Sequence, residues 1–259
     1  MDRFFINLIF FLKNERKKIP HIKKMNFEYF IQRPSIKRNK YPLLIYLHGY
    51  GENYTSILKK SSLPGIVSEN DLLQQAIVVT PFAPDGRWWK CEDLFNFTKK
   101  IIQQENVDIT KIYICGISMG GYAAWAMISQ YPNCFAAIIP ICGGANPFNR
   151  LFTLPIRWNE FNYEKFLENK HTAVWAFHGA LDIIVPYYES TKKIDRLRNI
   201  GNKNCKLTIY KWAGHSIFRK TFNNAEIYKW LFSQQLQNIV VQHSLFYEPT
   251  YKFAFQKMR

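Results

Sequence analysis

The sequence predicts an α/β protein built on a mostly parallel central sheet with helices on both faces, and two observations carry that expectation. Short apolar, β-branched runs alternate with helix-length segments along the whole chain. The runs at 41–49, 75–84 and 135–144 are apolar throughout instead of alternating, as strands covered on both faces must be. No internal repeat or low-complexity linker breaks the order. With 259 residues, 47% hydrophobic and 21% charged, the chain can bury one sizeable core, and one domain over about 25–234 is expected.

The elements follow in turn. "MNFEYFIQRP" from Met25 reads as a strand, and "YPLLIYLHG" (41–49) as a buried strand ending in His48–Gly49. "QAIVVTPFAP" (75–84) is another, followed by a helix over 92–106 with Leu94, Phe97, Ile101 and Ile102 near one face. "KIYICG" (111–116) is a strand, and 119–130 a helix that stops before Pro132. Strands at 135–144, 171–179 and 205–212, with helices at 187–200 and 218–233, complete the alternation. The aromatic-rich segment 145–170 interrupts it. Two readings stand for that segment: a lid over the sheet edge where ligands bind in such folds, or a surface connection packed by its own aromatics.

Composition narrows the function. The formal charge of +16 raises the question of nucleic acid, but the lysines are scattered among Asn, Ile, Phe and Tyr, and no nucleic-acid-binding motif accompanies them. The five cysteines lack metal-ligand spacing and read as small buried hydrophobes in a reduced, cytoplasmic compartment. At the N-terminus, Phe4 to Leu12 is too short an apolar run to span a bilayer, and no small-residue cleavage site follows it. Residues 1–24, with Arg and Lys against Phe and Ile, read either as an extension suited to weak contact with a membrane surface or as an appendage or misassigned start ahead of a domain beginning near Met25. Residues 235–259 read as a C-terminal tail.

One stretch carries chemistry. In "IYICGISMGGYAAWAM", Gly116-x-Ser118-x-Gly120 removes side chains two residues either side of a serine, at a strand-to-helix turn. Such a turn holds the serine hydroxyl outward at the C-terminal edge of the sheet, which makes Ser118 a candidate nucleophile. A serine nucleophile needs an imidazole base and a carboxylate to hold the imidazole's tautomer. Of the later histidines, His171 and His178 flank or end a strand and precede the acid, and His243 lies in the tail. His215, in a loop with Gly214 after the last strand, is the candidate base; His178 is expected to be structural. Asp182, three residues past a strand end, is the candidate acid, whereas Glu189 and Asp195 fall inside the next helix. The backbone N–H groups of Met119 and of Tyr50, in "LHGYGEN", are candidate oxyanion donors. Trp88 and Trp89 either line a substrate pocket or simply pack. Nothing in this chemistry calls for a metal or cofactor.

With these motifs in hand, the chain from about Met25 to Gln234 resembles the α/β-hydrolase superfamily, and within it the phospholipase/carboxylesterase-like, dienelactone-hydrolase-related esterases or peptidases. The resemblance rests on "YPLLIYLHGYGEN", "ITKIYICGISMGGYAAWAM", "YPNCFAAIIPICGG", "WAFHGALDIIVP" and "AGHSIFRKTFNNAEIYKWL", in that order. It implies a serine ester hydrolase with Ser118, Asp182 and His215 as the triad; small-molecule esters of small to medium acyl groups are the substrates expected from the modest, partly polar insertion at 145–170. Arg150, Arg157, Glu160 and Glu164 among the aromatics of 145–170 suggest a partly polar mouth over a small pocket. A peptidase or thioesterase on the same scaffold, or a non-catalytic binding protein, stays open at this stage.

Overall fold

The computed structural model describes residues 27–52, 56, 62–84, 88–145, 158–237 and 246. The extension 1–24 and most of 235–259 lie outside the described residues, as does 146–157 of the interrupting segment. Seven strands form one sheet: β1 (Tyr29–Gln32), β2 (Tyr41–Leu47), β3 (Ile77–Pro81), β4 (Val107–Ile117), β5 (Ala137–Ile141), β6 (Ala173–Gly179) and β7 (Cys205–Tyr210). Their spatial order is β1-β3-β2-β4-β5-β6-β7, parallel throughout except for the antiparallel pair β1–β3. This is the α/β-hydrolase fold.

Helices α1 (Leu63–Ile66), α2 (Cys91–Gln104), α3 (Met119–Gln130), α4 (Tyr163–Phe166) and α5 (Tyr188–Asn199) lie between successive strands, and α6 (Phe218–Phe222) and α7 (Ala225–Ser233) follow β7. The period of two along each strand divides the core into two layers. Leu43, Ile45, Leu47, Ile112 and Ile114 join α2, α3 and α5 on one face; Leu44, Tyr46, Tyr113 and Cys115 join α1 and α7 on the other. Helix α3 is buried along nearly its whole length, from Met119 to Ser129, which explains its near-continuous run of small and apolar residues.

Several expectations need correction. Strand β4 begins at Val107, four residues before the apolar run at 111, because Val107 pairs with Tyr41 ahead of a register shift. The single helix expected over 218–233 is two, broken at Asn223–Asn224, where the Asn224 side chain caps α7 by accepting the Glu226 N–H at 3.1 Å. Residues 158–170, the described part of the interrupting segment 145–170 beyond Ala145, pack onto the body of the fold. Trp158, Phe161 and Phe166 are buried in the core, the Asn162 N–H donates to Ser129 Oγ, and Glu160 accepts the Cys91 N–H at the start of α2. Glu160 therefore serves as a helix cap. Nor does the fold end at Gln234: the Leu236 N–H bonds the Thr110 carbonyl, and Phe246 lies against Phe95. No helix among the described residues is long and apolar enough to cross a membrane.

Candidate active site

Ser118 stands between β4 and α3 at φ 50° and ψ −114°, a backbone state that non-glycine residues rarely adopt. Its N–H bonds the Ile141 carbonyl of β5 at 2.8 Å, and its carbonyl accepts the Tyr122 N–H at 2.9 Å. Two glycines make the turn possible. A Cβ on Gly116 would run into the Gly120 carbonyl, and a Cβ on Gly120 into the Leu47 carbonyl. The turn is thus compressed until backbone touches backbone, and the serine side chain is left pointing out of the C-terminal sheet edge.

The structure brings Ser118, His215 and Asp182 together. His215 Nε2 lies 2.9 Å from Ser118 Oγ, and His215 Nδ1 lies 2.7 Å from Asp182 Oδ2. Since a carboxylate only accepts, Nδ1 carries the proton and Nε2 faces the hydroxyl with its lone pair. The loop bearing His215 is tied to the loop bearing Asp182 by the Leu181 N–H, which donates to the Ala213 carbonyl at 2.9 Å.

Asp182 is held from four directions. Oδ1 accepts the N–H groups of Ile184 and Val185, each at 2.9 Å, while Oδ2 faces His215 and, at 3.3 Å, His178 Nε2. Burial would raise its proton affinity, but the hydrogen bonds from His178, His215 and Val185, with the charge His215 can carry, outweigh it. The carboxyl is held well below its ordinary range. Glu189, a rejected alternative acid, is engaged elsewhere: it binds Lys193 at 2.9 Å and the Ala145 N–H at 3.2 Å.

Of the two expected oxyanion donors, Met119 belongs to the turn itself and Tyr50 to the loop after β2. Met119 is the first residue of α3, so its N–H is among those with no partner inside the helix. Gly49, which precedes Tyr50, lies against Ile117, with its Cβ position 3.6 Å from the Ile117 carbonyl. The loop is braced from both sides. His48 Nε2 accepts the Ala83 N–H at 3.0 Å, so Nδ1 must carry the proton it gives to the Gly49 carbonyl at 2.8 Å. Glu52 accepts the Gly49 N–H at 2.7 Å. Burial lowers the proton affinity of the His48 ring, partly offset by the bond to Gly49, and raises that of the Glu52 carboxyl. Glu52 escaped the sequence reading, although its place in "HGYGEN" could have marked it.

The two tryptophans part company. Trp89 is fully buried, donates to the His48 carbonyl at 3.3 Å and meets the His48 ring edge-on at 4.9 Å, so it backs the loop and cannot line an open pocket. Trp88 is partly exposed and packs on Tyr122, one turn into the helix that follows Ser118, and on Trp158. Cys142, His178 and Asp182 place ligand-type atoms within 4.8 Å of one another, but His178 Nε2 faces the Val185 carbonyl at 2.8 Å and is therefore a donor without a lone pair to offer a metal.

Fold and site together define an α/β-hydrolase with a serine, histidine and aspartate joined at the sheet edge. The chain belongs to the prolyl oligopeptidase family, whose profile matches residues 86–236. No curated protein matches the sequence. Among solved structures it is similar to a thermostable esterase, at 27% identity and a TM-score of 0.66, covering 81% of this chain and 59% of that one. The chain thus spans about three-fifths of that esterase's length. It is also similar to Est1E from Butyrivibrio proteoclasticus (17% identity, TM-score 0.56, 82% of this chain and 97% of that one). A further likeness is to the acylaminoacyl peptidase of Pyrococcus horikoshii (17% identity, TM-score 0.58, 82% and 40%). The last two likenesses speak to the fold alone.

Proposed function

We propose that the protein is a serine hydrolase that cleaves carboxylic esters of small to medium acyl groups through an acyl-enzyme. The observation that carries this reading is the hydrogen-bond chain from Ser118 Oγ through His215 to Asp182, at 2.9 and 2.7 Å, anchored on a strained turn. Ser118 Oγ attacks the ester carbonyl as its proton passes to His215 Nε2, and the imidazolium is stabilised by Asp182. The N–H groups of Met119 and Tyr50 receive the oxyanion. His215 then protonates the departing alkoxide. In the second half, water attacks the acyl group while giving its proton to His215, and that proton returns to Ser118 as the acid leaves.

Trp88, half-buried against Tyr122 of α3, lines the substrate pocket. The substrate is a small molecule, and the five free, buried thiols suit a reducing, cytoplasmic setting. The family match favours a second reading, in which the scissile bond is an amide; it uses the same three residues.

The deciding experiment is labelling with a fluorophosphonate probe alongside turnover of an acyl ester panel, for the native chain and for Ser118→Ala. Labelling and turnover in the native chain, both lost in the variant, are expected. A Ser118→Ala protein that still labels would remove the assignment.

A further inference from the structure

His178 takes no part in the steps above, yet its ring is completely buried against the aspartate. Nε2 lies 2.8 Å from the Val185 carbonyl and 3.3 Å from Asp182 Oδ2, and Nδ1 lies 2.8 Å from Ser190 Oγ. Both partners of Nε2 can only accept, so Nε2 carries the proton. Nδ1 then offers a lone pair, to which the Ser190 hydroxyl must donate. The hydroxyl's other acceptor, the Gly143 carbonyl, stands at 3.5 Å and competes poorly. One tautomer and one hydroxyl orientation satisfy every atom.

We infer that His178, oriented by Ser190, is a positioning residue that ties the Asp182 carboxylate to strand β6 and helix α5. This rests on the reading of Asp182 and His215 as acid and base. The donors to Asp182 Oδ1, Ile184 and Val185, belong to the same loop as the aspartate and move with it. His178 does not: it stands on β6, and through Ser190 it is fastened to α5. Its Nε2–H engages both the start of the loop, at Asp182, and its far end, at Val185. A histidine that merely filled the core would be satisfied by Ser190 and Val185; this ring is also turned to the very oxygen that His215 uses. A second donor on Oδ2 draws charge from that oxygen, and so moderates how strongly Asp182 holds the imidazolium.

The groups that face Asp182 are His178 from β6, His215 from the loop after β7, Cys142 from the end of β5 and Tyr122 from α3. The Cys142 thiol is turned to the His215 carbonyl at 3.1 Å, and burial keeps both it and the Tyr122 phenol protonated.

The test uses the full chain carrying His178→Phe, which keeps a ring of similar bulk and removes both nitrogens, and separately Ser190→Ala. Turnover of p-nitrophenyl butyrate is followed against pH, with thermal unfolding as the check on folding. In His178→Phe, kcat should fall roughly tenfold or more, well short of the about 10⁴ that loss of the acid itself costs, with KM little changed. The acid limb of kcat/KM should move to higher pH by about half a unit, because a carboxylate with one donor fewer holds the imidazolium more tightly. Ser190→Ala should move both quantities the same way by less. A purely structural role would lower the unfolding temperature and leave the acid limb in place, and that result overturns the inference. If His178→Phe does not fold, Ser190→Ala decides alone: a native acid limb and kcat in it overturn the proposal. Ser118→Ala is run in parallel, and turnover retained there removes the underlying reading and this one with it. Turnover lost there, with unchanged His178 and Ser190 variants, removes only the positioning role.

Discussion

Gly120 is laid directly on the backbone of Leu47, so that the first turn of the helix after Ser118 rests against the end of strand β2. The neighbour is a carbonyl group, which cannot swing aside as a flexible side chain could. Gly120→Ala should therefore destabilise the fold by about 1–3 kcal/mol and lower kcat/KM as the turn is pushed out of place. Thermal unfolding and ester turnover measure both, and an unchanged pair of values would mean that α3 can slide off the sheet end.

Replacing Asp182 with Asn keeps the shape but removes the acceptor that sets the imidazole tautomer. Turnover should drop by about 10³ to 10⁴, with KM nearly constant. Near-native turnover would shift the acid elsewhere, yet Glu189 is bound to Lys193, and Asp195 is exposed beside Arg198.

His215→Ala should abolish ester turnover, whereas His171→Ala should leave it near native. His171 is exposed and precedes β6, at the opposite end of the strand from the site. Equal losses in the two variants would contradict the geometry.

The same aspartate contributes to acid sensitivity. Its folded proton affinity lies well below the ordinary 3.8, so the native state stays ionised where the unfolded chain takes up a proton. The stabilisation is complete above about pH 4 and is lost as pH falls through the lower, folded value. Urea unfolding of the native chain and of Asp182→Asn, at pH 6 and at pH 3, should show the gap between them narrowing on acidification. A gap that widens would give the linkage the wrong sign.

Substrate choice is tested with p-nitrophenyl acetate, butyrate and palmitate against a peptide anilide. Rates should be highest for acetate or butyrate, since Trp88, Tyr122 and Trp158 close in beside the helix that follows Ser118. Faster cleavage of the anilide would select the amide reading, and faster cleavage of the palmitate an interfacial one.

The parts of the site visible in the sequence share one property: each follows a strand whose apolar run announces it. Ser118 trails β4, Asp182 trails β6 and His215 trails β7, so the order of strands alone put them on one edge. What escaped notice depends on contacts distant in sequence. Glu160 reads as one polar group of a pocket mouth until α2 is placed beside it, and Ser190 is an ordinary helical serine until His178 turns towards it. Trp89 shares its dipeptide with Trp88, and only the packing against His48 shows that one is buried and the other is not. The opening of β4, "VDIT", was hidden by Asp108, whose carboxylate bonds the Thr110 hydroxyl and N–H as in a turn even though the backbone is extended. The break at Asn223–Asn224 was masked by apolar residues that keep a helical rhythm on either side.

All five thiols are interior, and each sits in a different part of the molecule: at the head of α2, within β4, before and after β5, and on β7. Burial pushes those of Cys134 and Cys205 up to about 12, and those of Cys91, Cys115 and Cys142 well upward too. A water-soluble thiol reagent consequently has little to react with until some region opens, and its uptake counts opening events. The protein carries its own clock. Cys205, on the outermost strand, should be modified first under mild urea, and Cys115, in the middle of the sheet, only when the whole fold gives way.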